Sequence, residues 1–96
     1  VDLALKLRRS ASRDEINLAV KAAATGAMRD IIEYSEVPLV SSDVIGNPHS
    51  SVFDSLLTQA EGDGYARVVS WYDNEWGYSN RCVDLIRAMH ALGYTE

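Results

Sequence analysis

The sequence has one cysteine, Cys82, and only two prolines among its 96 residues. A single cysteine excludes an internal disulfide, which favours a reducing compartment and predicts a cytoplasmic location. No apolar run approaches the roughly 20 residues needed to cross a bilayer, so no membrane partner is expected. The chain opens at Val1 without an initiator methionine or a signal-peptide pattern, which fits a piece of a longer cytoplasmic protein.

Positive charge is also scarce. Nine Lys and Arg residues stand against 14 Asp and Glu residues, which gives a net charge of −5. This balance argues against nucleic acid or an anionic membrane as a partner, because both require a basic surface. Two histidines and one cysteine make no recognisable metal set. A Gly-x-Gly-x-x-Gly motif is absent, so the chain is not expected to form a dinucleotide-binding βαβ unit.

The first third of the sequence shows two clear periodic patterns. Apolar and polar residues alternate from Val1 to Leu7, which predicts a strand with one buried face. The following Ser12-Arg13-Asp14-Glu15 reads as a capping box, with Ser12 as the N-cap and Glu15 at N3. Apolar residues then recur at helical spacing until Gly26, where a helix is expected to end.

The remaining chain indicates short strands and a final helix. Residues 32–34 fit a short strand, and Pro38 limits that region to an edge or a loop; residues 41–51 carry turn-forming residue types. Strands are expected over 52–60 and 65–72, joined by a hairpin turn, with a helix from 74 to about 92. Ninety-six residues make at most one small domain. The predicted fold class is α+β: a mostly antiparallel mixed sheet with flanking helices and a C-terminal helix.

The stretch from Ser70 to Arg81 lies where the last predicted strand gives way to the final helix. The first N–H groups of a helix lack partners within it, so such junctions commonly bind ligands. Asp73 or Asn74 could serve as the N-cap of this helix. The alternative interpretation is a capped helix start with aromatic residues packed beneath it.

Two other sets of reactive side chains favour structural roles. Cys82 falls on an apolar helical stripe with Ile86 and Met89, which is typical of a buried small hydrophobe rather than a nucleophile. The loop over 41–51 holds the residue types of a hydrolytic triad. Turn and cap hydrogen bonds are the more common use of Ser, Asp and His in such a loop.

The segment Trp71 to Arg81, Trp-Tyr-Asp-Asn-Glu-Trp-Gly-Tyr-Ser-Asn-Arg, resembles the C-terminal signature of phosphorylating glyceraldehyde-3-phosphate dehydrogenase. Residues 1–3, 40–43 and 49–54 stand in the family's order as well. The resemblance covers this whole chain but only about the last third of that enzyme. It implies an oxidoreductase that converts glyceraldehyde 3-phosphate, phosphate and NAD to 1,3-bisphosphoglycerate, with NADP possible, as a cytosolic homotetramer.

The resemblance also assigns roles to particular residues. Asn74 matches the family's asparagine that hydrogen-bonds the nicotinamide carboxamide, and Tyr78 matches the tyrosine beside the nicotinamide ring. Tyr72 matches a tyrosine near the catalytic pocket. Residues 1–73 would complete the catalytic domain, and the helix over 74–96 would pack on the nucleotide-binding domain.

The same resemblance predicts that the chain alone is inactive. The family's nucleophilic cysteine lies in a Ser-Cys-Thr-Thr motif upstream of the region matching Val1, as do its catalytic histidine and phosphate-binding arginine, so no catalytic residue is expected here. Asp30 and Glu33 replace glycines common in the family, which puts local turn geometry in question. Two alternatives remain: a stand-alone non-catalytic module, and a segment of the sister erythrose-4-phosphate dehydrogenase.

Overall fold

The computed structural model describes residues 1–94. Over that range the chain forms five strands and two α-helices. In order they are β1 (Asp2–Lys6), α1 (Arg13–Thr25), β2 (Ile32–Ser35), β3 (Ser51–Asp54), β4 (Gln59–Ala60), β5 (Tyr65–Trp71) and α2 (Gly77–Ala91). Short 3-10 helices span Ser41–Val44 and Ser55–Leu57. Neither α-helix of this described range combines the length and apolar character needed to span a membrane.

The strands form one mixed sheet around β5. Its order is β1-β5-β3-β2, with β4 paired to β5 beside β3. All pairings with β5 are antiparallel, whereas β2 and β3 run parallel. Strand β2 lies at an edge, as Pro38 led us to expect. The α+β class with a mostly antiparallel mixed sheet is therefore confirmed.

Helix α1 begins and ends where its sequence signals predicted. The Ser12 hydroxyl accepts from the Glu15 N–H, and the Glu15 carboxylate accepts from the Ser12 N–H, which completes the capping box. The helix ends at Thr25, and Gly26 occupies the C-cap. Its most buried residue is Asn17, whose amide N–H donates to the carbonyl of Ser55 at 3.1 Å. This bond and those of Arg13 to the carbonyls of Ser55 and Thr58 anchor the helix to the segment after β3.

The strand predicted over 52–60 is wrong, because β3 ends at Asp54 and a 3-10 turn separates it from β4. Side chains cause the break. The Ser55 hydroxyl donates to the Ser35 carbonyl, while Asn17 and Arg13 donate to the Ser55 carbonyl. These bonds use backbone groups that a continuous strand would offer to the ladder. The hairpin between β4 and β5 is confirmed.

The buried face predicted for β1 is not buried within residues 1–94. Leu3 is 45% exposed, and Leu5 is half-buried. The reason is position: β1 is the edge strand beside β5, and its alternating leucines face a side that the described chain leaves largely uncovered. The strand itself forms over Asp2–Lys6, as its period-2 pattern predicted.

The core lies around β3 and β5. Val52 is fully buried, and Phe53, Ala66, Val69 and Val44 are each less than 9% exposed. The Phe53 ring also stacks on Tyr34 of β2, with ring centroids 5.9 Å apart. Five buried apolar residues, of which only Phe53 is large, make a thin core for a chain of this length.

Helix α2 leaves the sheet after its first turn. Its apolar residues are mostly open to solvent: Val83 is 46% exposed, Ile86 67%, Met89 45% and Leu92, just beyond its end, 75%. An unpaired apolar surface of this kind is typical of a face that binds another protein segment.

Candidate functional site

The junction between β5 and α2 contains a turn that the sequence did not predict. The last helix was expected to begin at residue 74, but regular helix begins at Gly77, with Trp76 in the cap position. Residues 74–76 form a turn before it. Trp76 makes no side-chain cap bond. The capping bonds come from Asp73, one of the two expected N-cap residues: its carboxylate accepts from the N–H groups of Glu75 and Trp76, and its carbonyl accepts from the Gly77 N–H at 3.0 Å.

The Asp73 carboxylate joins two separate segments. Its Oδ1 accepts from the N–H groups of Glu75 at 2.9 Å and Trp76 at 3.0 Å. Its Oδ2 accepts from the N–H of Gly46, 27 residues earlier, at 2.7 Å. The Gly46 N–H, supported by the two donors of the turn, lowers the pKa of Asp73 below its ordinary value. The carboxylate therefore fixes the turn to the loop before β3.

Helix α2 packs against the same loop. A Cβ at Gly77 would lie 3.0 Å from the carbonyl oxygen of His49, so only glycine allows this approach without a shift of the backbone. Further along, Arg81 Nη1 donates to the Asp30 carbonyl and the Ser50 hydroxyl, each at 3.2 Å. The first turns of α2 are thus held by backbone contact and by one arginine.

Asn74 lies in the middle of this fixed turn, and its side chain is exposed. Its neighbours Asp73 and Glu75 supply hydrogen bonds that hold the backbone on both sides. The amide of Asn74 therefore stands on a constrained backbone and offers one donor group and one acceptor to solvent.

Tyr72 and Tyr78, the two tyrosines that match family residues near the catalytic pocket and the nicotinamide ring, are also exposed. Tyr78, in the first turn of α2, is 76% exposed, and Tyr72, just after β5, is 48% exposed. Hydrogen bonding to Cys82 and the charge of its thiolate raise the pKa of Tyr78. A tyrosine phenol is protonated at neutral pH, so Tyr78 carries an O–H donor there.

The side chains of loop 41–51 that match the residue types of a hydrolytic triad form hydrogen bonds with neighbouring protein groups. The Asp43 carboxylate accepts a backbone N–H three residues earlier at 2.8 Å. The His49 Nδ1 pairs with the side-chain oxygen of Asn47, also at 2.8 Å, and the Ser51 hydroxyl bonds a hydroxyl on β5. Asp43 and His49 therefore act in turns, as expected, whereas Ser51 lies in β3 and makes a cross-strand bond.

Cys82 is half-buried. Ile86 and Met89, which share its apolar stripe on α2, are more exposed than the sequence predicted, at 67% and 45%.

Among residues 1–94, no group of three or more His, Cys, Asp and Glu side chains is placed to hold a metal ion. A surface groove of about 380 Å³ lies between α1 and β2, lined by residues that include Asn17, Lys21 and Tyr34. That groove lies on another part of the surface from the Asn74 turn.

Sequence reasoning missed the bond between Gly46 and Asp73 and the anchoring by Arg81. Gly46 has a φ of +78°, and its sequence context marked a turn. A turn-forming residue pattern does not show which distant side chain accepts a hydrogen bond from the Gly46 N–H. Only the folded arrangement of β3 and β5 brings that loop to the signature segment.

Comparison with known families identifies the class of protein. Residues 1–74 match the sequence profile of the family described as glyceraldehyde 3-phosphate dehydrogenase, C-terminal domain. This match covers more than half of the chain. The chain therefore belongs to the glyceraldehyde-3-phosphate dehydrogenase family, as its signature segment indicated.

Individual relatives agree with this assignment. Glyceraldehyde-3-phosphate dehydrogenase of Mycobacterium tuberculosis H37Rv is 59% identical over 85 residues, which is 88% of this chain and 25% of the relative. The enzyme of that name from Mycolicibacterium smegmatis is 54% identical over the same shares. The one from Kitasatospora aureofaciens is 50% identical over 91 residues, 95% of this chain and 27% of the relative. The chain thus spans about a quarter of the length of these relatives.

Proposed function

We propose that this chain forms the C-terminal part of a dehydrogenase that oxidises glyceraldehyde 3-phosphate with phosphate and NAD to 1,3-bisphosphoglycerate. NADP is the alternative cofactor, since the residues that select between the two lie outside this chain. The observation that carries the proposal is the signature segment, which presents an exposed asparagine amide on a fixed turn in a chain of this family. The relatives named above all bear the glyceraldehyde-3-phosphate name, and none of them favours the erythrose-4-phosphate enzyme or a stand-alone module.

Asn74 is proposed to contact the nicotinamide carboxamide. An amide pairs with another amide because each offers one donor group and one acceptor. The Asn74 side chain is exposed, and the hydrogen bonds of its turn are made by Asp73. The residues present therefore fit a nicotinamide group. When bound, NAD would accept the hydride from the aldehyde carbon, while Asn74 orients the ring.

The two tyrosines are proposed to border the same group. Tyr78 follows Asn74 by four residues and offers an exposed, protonated phenol, which is suited to contact a planar ring or donate a hydrogen bond. Tyr72 lies nearer the end of β5 and would face the pocket in which the substrate reacts. No nucleophile or base is assigned within this chain, since those of the family lie upstream of the matching segment.

Residues 74–96 are proposed to pack on a nucleotide-binding domain, and residues 1–73 to complete the catalytic domain. The apolar face of α2 supports this division, with Ile86 67% and Met89 45% exposed. Burying a residue of this size contributes about 1.5–3 kcal/mol. The proposed assembly is a cytoplasmic homotetramer, in which further chain segments would also cover the exposed leucine of β1.

The test compares the 96-residue chain with the full-length dehydrogenase that carries it. NADH formation is followed with glyceraldehyde 3-phosphate, in the presence and absence of phosphate, and with erythrose 4-phosphate as the rival substrate. The full-length protein is expected to turn over glyceraldehyde 3-phosphate in a phosphate-dependent reaction, and the chain alone is expected to be inactive. Activity of the chain alone, or a preference of the full-length protein for erythrose 4-phosphate, would contradict the proposal.

A further inference from the structure

We propose that Asp73 is a positioning residue for the cofactor, which sets the Asn74 amide toward the nicotinamide by fastening its turn to the Gly46 loop. This inference rests on the proposed function of Asn74. Asp73 itself directs both carboxylate oxygens to backbone N–H groups of the protein, so it acts through Asn74 rather than on the cofactor.

The Asp73 carboxylate binds three backbone N–H groups from two segments of the chain. Oδ1 holds the two N–H groups that follow Asn74, at 2.9 and 3.0 Å, and Oδ2 holds the Gly46 N–H at 2.7 Å. Asn74 therefore lies between the residue that provides the carboxylate and the residues that it binds. Loss of the bond to Gly46 removes the tie between the Asn74 turn and that part of the loop, while the contacts of Gly77 and Arg81 still hold α2 to its later residues.

Aspartate is the residue type that this arrangement requires. An asparagine at this position offers one acceptor oxygen and one NH₂ donor. It could keep either the turn bonds or the Gly46 bond, but its NH₂ group would then face an N–H. Asp73→Asn thus removes either the turn bonds or the Gly46 bond, while it preserves the size of the side chain.

Gly46 provides a second way to weaken the same contact. Its φ is +78°, and a Cβ built there meets no atom within 4 Å, so Gly46→Ala acts through backbone conformation alone. Gly62, in the hairpin between β4 and β5, has the same φ of +78° and equally open surroundings. Gly62→Ala is therefore a matched control, with the same local cost and no bond to Asp73.

The experiment measures NAD dissociation constants and melting temperatures by calorimetry for the full-length dehydrogenase. The variants are Asp73→Asn, Asn74→Ala, their double mutant, Gly46→Ala and Gly62→Ala. Asp73→Asn is expected to raise the dissociation constant roughly three- to tenfold, as expected for misplacing one hydrogen bond. In the Asn74→Ala background the same change should have less than about a twofold effect, because the group that it positions is gone.

The outcomes separate this inference from the function on which it rests. Non-additive Asp73 and Asn74 effects, with Gly46→Ala weakening NAD binding and Gly62→Ala leaving it unchanged, support positioning. Additive effects, an unchanged dissociation constant for Asp73→Asn, or equal effects of the two glycine variants would overturn it while the Asn74 assignment stands. An Asn74→Ala variant with wild-type affinity would refute the proposed contact and this inference together.

Discussion

The indole N–H of Trp71 donates a 2.9 Å hydrogen bond to Asp54, a carboxylate that is only 2% exposed. The other carboxylate oxygen has no hydrogen-bond partner within residues 1–94. The indole therefore supplies the hydrogen bond to one of the two oxygens of a buried acidic side chain. It also ties the end of β5, immediately before the signature turn, to the end of β3.

Replacement of Trp71 by phenylalanine should destabilise the protein. The variant leaves the buried carboxylate without its indole donor, which costs about 1–3 kcal/mol, and it adds a loss of packing. Tyr65→Phe on the same strand is the control, because Tyr65 is 58% exposed and lies outside the segment proposed to pack on another domain, so it should change stability by no more than about 0.5 kcal/mol. Thermal unfolding of both variants in the full-length protein measures the difference. Equal melting temperatures would show that the Trp71 bond contributes nothing.

Position 30 should prefer glycine to any branched side chain. Asp30 has a φ of +66°, a left-handed conformation that L-residues adopt at a cost of about 1–2 kcal/mol. We expect Asp30→Val to unfold at least about 1 kcal/mol more easily than Asp30→Gly. The Arg81 bond is to the Asp30 carbonyl, so both variants retain that acceptor. Lys6→Val in strand β1 is a control, since Lys6 is exposed and valine suits a strand.

Chemical denaturation of these three variants gives the ranking. An Asp30→Val variant as stable as Asp30→Gly would contradict a left-handed residue 30. Asp30 and Glu33 both stand where the family commonly has glycine. Asp30 has a glycine-type backbone conformation, whereas Glu33 has ordinary strand geometry in β2.

The contact between Asp73 and Gly46 should persist in mild acid. The bond from the Gly46 N–H lowers the folded-state pKa of Asp73 below the unfolded value of about 3.9. A lowered pKa contributes stability that is fully present above the unfolded value and is lost as pH falls through the folded value. NMR titration of the Asp73 carboxyl carbon should show a midpoint below about 3.9. A midpoint at or above that value would contradict the contact.

The apolar face of α2 should cause the isolated chain to self-associate. Ile86 is 67% exposed, and apolar faces of this kind drive association when no partner covers them. Sedimentation velocity of the 96-residue chain should show species larger than a monomer, and Ile86→Glu should reduce them. Ala91→Glu, on the opposite side of the helix, is the matched control. A monomeric wild-type chain with a cooperative, high-temperature melt would contradict this prediction.

Local signals in the sequence predicted local structure well. The capping box of Ser12 and Glu15, the end of α1 near Gly26 and the hairpin before β5 depend on neighbouring residues, and they formed as expected. The signature segment was located correctly at the strand-to-helix junction. Its composition could not show that the helix starts at Gly77, because the delay depends on side-chain bonds made within the turn.

Features that depend on distant residues were not predictable in the same way. The strand over 52–60 breaks because Ser55 bonds Ser35 and α1, and periodicity contains no record of such partners. The alternating pattern of β1 correctly indicated a strand, but its apolar side is largely exposed within residues 1–94. The tie between Gly46 and Asp73 likewise crosses 27 residues. The sequence identified the residues of the candidate site, whereas the contacts that hold those residues in place depend on the tertiary structure.

The central claim is that Asn74 contacts the nicotinamide of a bound cofactor, and ligand comparison tests it most directly. Calorimetry should measure NAD and ADP-ribose binding to the full-length dehydrogenase and to its Asn74→Ala variant. ADP-ribose lacks the nicotinamide, so its affinity should not change. NAD affinity should fall by up to roughly tenfold, the value of one hydrogen bond to a neutral group. An equal change for both ligands, or no change for either, would contradict the claim.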